Sequence, residues 1–125
     1  MEKGKHLLYE ARIKNPEILK NGDEIAKMFN HIINSLDMKA VSKTKIHYFP
    51  GGGLTALCII AESHVSIHTW PETNYMAFDI FSCRDFDEIT ALKILKEYIE
   101  PEIELTDVII RGMIRFPNKV LAHVK

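Results

Sequence analysis

Apolar and polar positions alternate with period two along most of this chain, and two stretches break that rhythm with helical spacing. From Gly4 to Ile13, Leu7, Tyr9, Ala11 and Ile13 fall on one face and His6, Leu8, Glu10 and Arg12 on the other, which predicts a first strand. Asn21 with Glu24 three positions on has the form of a capping box. Ile25, Met28, Phe29, Ile32, Ile33 and Leu36 follow at helical intervals, so one face of that helix docks. A second strand is predicted around Ala40 to Phe49, closed by Pro50-Gly51-Gly52-Gly53, where glycines supply positive φ or close backbone approach. Leu54 to Ala61 reads as a continuous apolar strand, 64–70 as an alternating one, and Met76 to Cys83 as another with Ala77, Asp79, Phe81 and Cys83 on one face.

Asp85 with Glu88 predicts a second helix start, with Ile89, Leu92, Leu95 and Ile99 as its buried stripe and Pro101 as its stop. Glu104 to Phe116 returns as a last strand. Strand, helix, strands, helix, strand is the order of an α+β two-layer sandwich, a largely antiparallel sheet with both helices on one face. The uncovered face of so short a chain calls for a partner, so a homo-oligomer, at least a dimer, is expected. No repeat or linker divides the 125 residues, and one domain over 1–125 is the expectation.

Composition narrows the function classes. A formal net charge of −1 leaves no global basic field for nucleic acid, and no partner of that kind is expected. The longest apolar run, around Ala56 to Ala61, is far short of the ~20 residues a membrane helix needs, and Glu2-Lys3-Gly4-Lys5-His6 leads into a mixed strand rather than a signal-peptide core. A cytoplasmic chain, without membrane attachment, follows as an expectation. Cys58 and Cys83 are too few for a disulfide framework, and a reducing compartment suits them.

The chemistry is concentrated in Ala61-Glu62-Ser63-His64-Val65-Ser66-Ile67-His68-Thr69-Trp70-Pro71-Glu72, where carboxylates, hydroxyls and two imidazoles crowd a segment that otherwise reads as buried strand. Alternation puts His64 and His68 on one face. They do not make a metal site: alternate strand residues advance ~6.6–7 Å, so a pair four apart lies about twice that distance from each other. Taken singly, Ser63 reads as a turn serine, His68 as a half-buried hydrogen-bonded histidine, Cys83 as a small core residue, Phe49 as a core aromatic and Glu72 as a solvated carboxylate.

Together these residues resemble the S-adenosylmethionine decarboxylases, the small pyruvoyl-dependent enzymes of polyamine synthesis in bacteria and archaea. The resemblance is carried by Glu62-Ser63-His64 and Ile67-His68-Thr69-Trp70-Pro71-Glu72, with Gly4-Lys5-His6, Phe49 and its glycine turn, Tyr75 to Cys83, and Arg111-Gly112. It implies that Ser63 attacks the carbonyl of Glu62, forms an ester and eliminates, splitting the chain into 1–62 and 63–125 and leaving a pyruvoyl group. Decarboxylation leaves electrons at Cα that no coded side chain can accept; the pyruvoyl ketone, joined to the substrate amine as a Schiff base, takes them, so neither metal nor pyridoxal phosphate is implied.

The same resemblance gives His68 the role of processing base, Thr55 that of a donor during processing, and Cys83 that of proton donor to the decarboxylated carbon. Phe49 is implied to stack on the purine and Glu72 to bind the ribose, while Glu10, on the side of His6, would assist processing or bind the substrate amine. Sites built between two protomers are also a family property. Pro50-Gly51-Gly52-Gly53-Leu54-Thr55-Ala56, Met76-Ala77-Phe78, Arg84 and Tyr9-Glu10-Ala11-Arg12 depart from the usual pattern, which bears on substrate. S-adenosylmethionine is the favoured substrate, arginine or ornithine the alternative on the same fold, and a non-catalytic ligand-binding domain the reading from another class.

Overall fold

The structure is a computed structural model that describes residues 4–112 and 114. Its strands are β1 (Gly4–Ile13), β2 (Lys39–Ala40), β3 (Lys45–Tyr48), β4 (Leu54–Ala61), β5 (Ser63–Trp70), β6 (Tyr75–Ser82) and β7 (Pro101–Arg111); its helices are α1 (Gly22–Ser35) and α2 (Glu88–Ile99). All strands join one antiparallel sheet in the order β2-β4-β5-β6-β1-β7, with β3 also on β4. The two helices pack on one face of that sheet, the α+β two-layer architecture that the pattern predicts.

Alternation sorts the side chains as expected. Leu7, Tyr9, Ala11 and Ile13 of β1, Leu54, Ala56, Cys58 and Ile60 of β4, Val65 and Ile67 of β5, and Met76, Phe78 and Ile80 of β6 are buried beneath the helices. α1 supplies Ile25, Met28, Phe29, Ile32 and Ile33 to the same core. Each such side chain contributes roughly 1.5–3 kcal/mol of apolar burial, which exceeds what the capped helix ends add. Asn21 caps α1 by accepting from the Glu24 main-chain N–H at 3.1 Å.

Three local expectations are corrected. The predicted strand 40–49 is two short strands, β2 and β3, with residues 41–44 between them in neither, although the Val41 N–H still donates to the Ile59 carbonyl of β4. Helix α2 is capped by Asp87, not Asp85: the Asp87 carboxylate accepts from the main-chain N–H groups of Ile89 and Thr90, so the helix starts later. Its buried stripe is therefore Ala91, Ile94, Leu95 and Ile99, and Ile89 stands 74% exposed. Asp85 instead accepts from the Lys5 ammonium. Finally, β7 begins at Pro101 itself, after Glu100 turns the chain at φ 48°, and Phe116 of the predicted last strand lies outside the described residues.

Among the described residues the second face of the sheet carries no helix, and its side chains form rows across the strands. One row runs His47, Thr55, His68, Ala77, Glu10, Leu105; the next Leu57, Ser66, Asp79, Leu8, Asp107; the third Ile59, His64, Phe81, His6, Ile109. Leu57, Ile59, Trp70, Ile103, Leu105 and Ile109 are exposed there. No described helix is long and apolar enough to cross a membrane.

Candidate active site

The candidate residues read from the sequence form two groups at opposite ends of β5, on the open face or at its margins except for Ser63, which begins β5 in register with the buried Ile60 and Ser82 and so starts on the helix-covered side. The first is the hairpin between β4 and β5. Ile60 pairs with Ser63, so Ala61 and Glu62 form a two-residue turn. Ser63 pairs with Ser82 on the other side, which brings Cys83 beside the turn, and the Cys83 main-chain N–H donates to the Glu62 carbonyl oxygen at 3.3 Å. Ser63 itself sits at φ 140°, a region that a residue with a β-carbon rarely adopts. Glu62 is exposed, and Ser63 and Cys83 are half-buried.

The second group lies at the far end. Thr55 and His68 are cross-strand partners, with Thr55 Oγ1 and His68 Nδ1 2.9 Å apart. His47, opposite Thr55, holds its ring 4.8 Å from that of Phe49, while Trp70 lies between His68 and Tyr75 at 6.4 and 5.3 Å. Phe49 is 49% exposed at the start of the glycine turn, where its N–H donates to the Gly53 carbonyl at 2.7 Å. Gly51 and Gly52 take φ of 95° and 94°, and a β-carbon on Gly53 would meet the Thr69 carbonyl oxygen at 2.7 Å, so the turn requires glycines for two different reasons. Glu72, just after Trp70-Pro71, is exposed.

Glu10 reaches this end from β1. Its Oε1 accepts from the Tyr75 hydroxyl at 3.1 Å, and with His68, Leu8, Ser66, Ala77 and Leu105 it lines an open depression of about 700 Å³. The structure thus groups Thr55, His68, Phe49 and Glu10 and keeps Ser63, Glu62 and Cys83 apart from them. Ser63 and His68 are five positions apart on one continuous strand, roughly 17 Å at the rise of extended chain.

Between the two groups is a cluster that pattern reading missed. Asp79 Oδ2 lies 2.6 Å from His6 Nε2 and 2.9 Å from His64 Nε2, and its Oδ1 accepts from Ser66. Burial pushes the Asp79 carboxyl upward, but the hydrogen bonds from Ser66, His6 and His64 outweigh it and leave it below the usual carboxylate range. His6, His64 and Asp79 offer ligand atoms within 4.8 Å of one another, spacing that would admit a metal ion. The donors argue for protons instead. A guanidinium nitrogen of Arg111 lies 3.3 Å from His6 Nδ1, and since guanidinium only donates, that nitrogen accepts and the ring proton sits on Nε2, aimed at Asp79. A metal-bound imidazole needs the reverse, a free Nε2 and an acceptor for Nδ1–H. The signal for this cluster was present in the shared face of His64 and Ser66, but its other members arrive from β1, β6 and β7.

Cys58 is buried in the core among apolar side chains, which raises its thiol pKa, in keeping with a structural role.

Residues 5–112 match the family model described as S-adenosylmethionine decarboxylase. The chain is 34% identical over 122 residues to an S-adenosylmethionine decarboxylase proenzyme of Thermodesulfovibrio yellowstonii, covering 96% of this chain and 89% of that one. It is 38% identical over 113 residues to an S-adenosylmethionine decarboxylase proenzyme of Clostridium botulinum, covering 89% and 96%. The crystal structure of the adenosylmethionine decarboxylase from Aquifex aeolicus shares the fold, with a TM-score of 0.79 and 24% identity over 87% of this chain and 90% of that one. The chain belongs to the S-adenosylmethionine decarboxylase family, and its general type is that of a carboxy-lyase.

Proposed function

We propose that this member of the S-adenosylmethionine decarboxylase family cleaves its own backbone between Glu62 and Ser63 and then, as chains 1–62 and 63–125, decarboxylates S-adenosylmethionine to yield an aminopropyl donor for polyamine synthesis. The observation that carries the reading is the hairpin: the Glu62 carbonyl oxygen accepts from the Cys83 N–H at 3.3 Å while Ser63 is held at φ 140°. A carbonyl already in a hydrogen bond is polarised for attack, and the same N–H stabilises the oxyanion that attack creates.

In this mechanism Ser63 Oγ adds to the Glu62 carbonyl carbon, the C–N bond breaks, and the Ser63 nitrogen takes the proton the hydroxyl gives up. The resulting ester joins Glu62 to Ser63 Oγ. A base then removes the Ser63 α-hydrogen, the Glu62 carboxylate leaves, and hydrolysis of the remaining enamine releases ammonia. His68, with Thr55 fixing its ring at 2.9 Å, is the base. The pyruvoyl group so formed supplies the electron sink for carbon dioxide loss. Cys83, beside it in sequence register, returns a proton to the carbon.

One chain alone does not assemble these parts, because roughly 17 Å of strand lies between Ser63 and His68. The uncovered face resolves this. A second copy docked face to face about a two-fold axis near the middle of β5 brings the Ser63 end of one chain over the His68 end of the other, and buries Leu57, Ile59 and Leu105, all exposed in the single chain. Each dimer then holds two sites of mixed origin, with Phe49 and Glu72 beside His68 to receive the purine and ribose.

Arginine or ornithine remains a second reading for a specific reason: the 700 Å³ depression beside His68 is lined by the carboxylates of Glu10 and Asp107, which favour an amine-bearing side chain. Intact-mass measurement tests the processing step: wild type splits into two chains, Ser63→Ala stays whole, and a wild type that remains whole on long incubation removes the proposal. Carbon dioxide release from carboxyl-labelled S-adenosylmethionine, arginine and ornithine decides the substrate.

A further inference from the structure

We infer that Asp79 and His64 are positioning residues for self-cleavage, a clamp that holds Ser63 in its unfavourable backbone conformation until the bond breaks; this rests on the self-processing reading. The clamp is part of a polar ladder across four neighbouring strands, β7, β1, β6 and β5. Arg111 donates to His6 Nδ1, His6 Nε2–H to Asp79, and His64 Nε2–H and Ser66 Oγ–H to the same carboxylate. Arg111 also lies over the Phe81 ring, 4.6 Å from its centroid, which gives the outer end of the ladder a second contact.

Its inner end is the residue directly after Ser63. A strained φ persists only where the surroundings over-determine it, since otherwise the residue relaxes. Ser63 is fixed on both sides: Glu62 by the Cys83 N–H, His64 by Asp79. Ser63 begins its strand directly after the turn, in register with Ile60 of β4 and Ser82 of β6, so the sheet sets its place and the His64–Asp79 contact fixes the next residue from the side-chain direction. Among the described residues, the charged groups facing His64 are Asp79 from β6 and, through His6 of β1, Arg111 of β7; from β4 its cross-strand neighbour is the apolar Ile59. The clamp therefore places the scissile bond rather than exchanging protons with it. After cleavage Ser63 is a chain start with no preceding residue to be held against, and the clamp has no further work in the reaction.

The test separates processing from decarboxylation in the full chain. Cleavage is followed by gel after a pulse of cell-free synthesis, and carbon dioxide release is normalised to the cleaved chain counted by mass. His64→Leu and Asp79→Ala should process about tenfold or more slower, the range a lost conformational constraint of this kind gives. His64→Gln, whose amide N–H can reach where the imidazole Nε2–H stood, should stay within about threefold of wild type. Decarboxylation per cleaved chain should be unaltered in His64→Leu. Wild-type cleavage rates in His64→Leu overturn the clamp, as does a glutamine variant as slow as the leucine one, which would point to the ring itself as a base. A parallel fall in decarboxylation per cleaved chain overturns it too. Should leucine at 64 prevent folding, Asp79→Asn keeps the side-chain shape, and cleavage at the wild-type rate there is equally fatal. A wild type that never splits removes the self-processing reading and the clamp with it, and is told apart from these outcomes by the absence of any cleaved product.

Discussion

Ser63 and His68 belong to one unbroken strand, five positions apart and roughly 17 Å from each other, although the proposed chemistry needs both at the same carbon. If each site takes Ser63 from one chain and His68 from another, two inactive variants should repair each other. Co-expressed Ser63→Ala and His68→Ala chains should give cleavage of the His68→Ala chain, seen by mass, whereas His68→Ala alone stays uncleaved or stops at the ester. Absence of complementation in a mixture shown by light scattering to contain heterodimers would place the whole site within one chain.

Thr55 Oγ1 lies 2.9 Å from His68 Nδ1, a contact that fixes which way the ring faces and which nitrogen is free. Thr55→Val keeps the shape and deletes the hydroxyl, and processing should slow by about ten- to a hundredfold, as for loss of one well-placed hydrogen-bonding group. Thr55→Ser should remain close to wild type. Equal rates for valine and serine would leave the hydroxyl without a role.

Phe49 is half exposed in the single chain, its ring against that of His47 rather than in the core. If it stacks on a purine, Phe49→Ala should lower kcat/KM for S-adenosylmethionine about tenfold, since such aromatic contacts contribute on the order of 1 kcal/mol beyond area burial. A silent Phe49→Ala, with arginine or ornithine preferred, would overturn the substrate while leaving the processing mechanism intact.

Asp79 gives a pH-dependent signature in stability. Its folded-state pKa is lowered, burial being outweighed by hydrogen bonds from Ser66, His6 and His64, so its contribution is present above the unfolded carboxylate value of about 3.9 and is lost as pH falls through the lower folded value. In the uncleavable Ser63→Ala background, Asp79→Asn should therefore melt several degrees lower at neutral pH, and the gap should shrink as the pH is taken below about 4. A gap that is constant from neutral to acid pH would mean the carboxylate charge does not matter.

Much of the fold was legible because period-two and period-3.6 patterns need no tertiary information. Leu7 to Ile13 and Ile25 to Ile33 are buried where their spacing puts them. The errors arose where two local solutions compete. Asp85 and Asp87 both precede the helix, but Asp87 reaches two main-chain N–H groups while Asp85 accepts from Lys5 on β1, and the buried stripe rotates with that choice. Likewise the stretch 40–49 has strand-like composition throughout, yet it pairs with β4 only over Lys39–Ala40 and Lys45–Tyr48.

By itself the sequence determined the family, the face each strand residue occupies and the motif Glu62-Ser63-His64, because these depend on residue identity and on spacing within one strand. The tertiary structure alone decided which strands lie side by side and in what register. That register joins His6, Asp79 and Arg111 to His64 from far along the chain, and sets Cys83 against the Glu62 carbonyl. Within β5 the rise of an extended chain is fixed, which holds Ser63 and His68 apart, and the proposed second copy is what would bring them together.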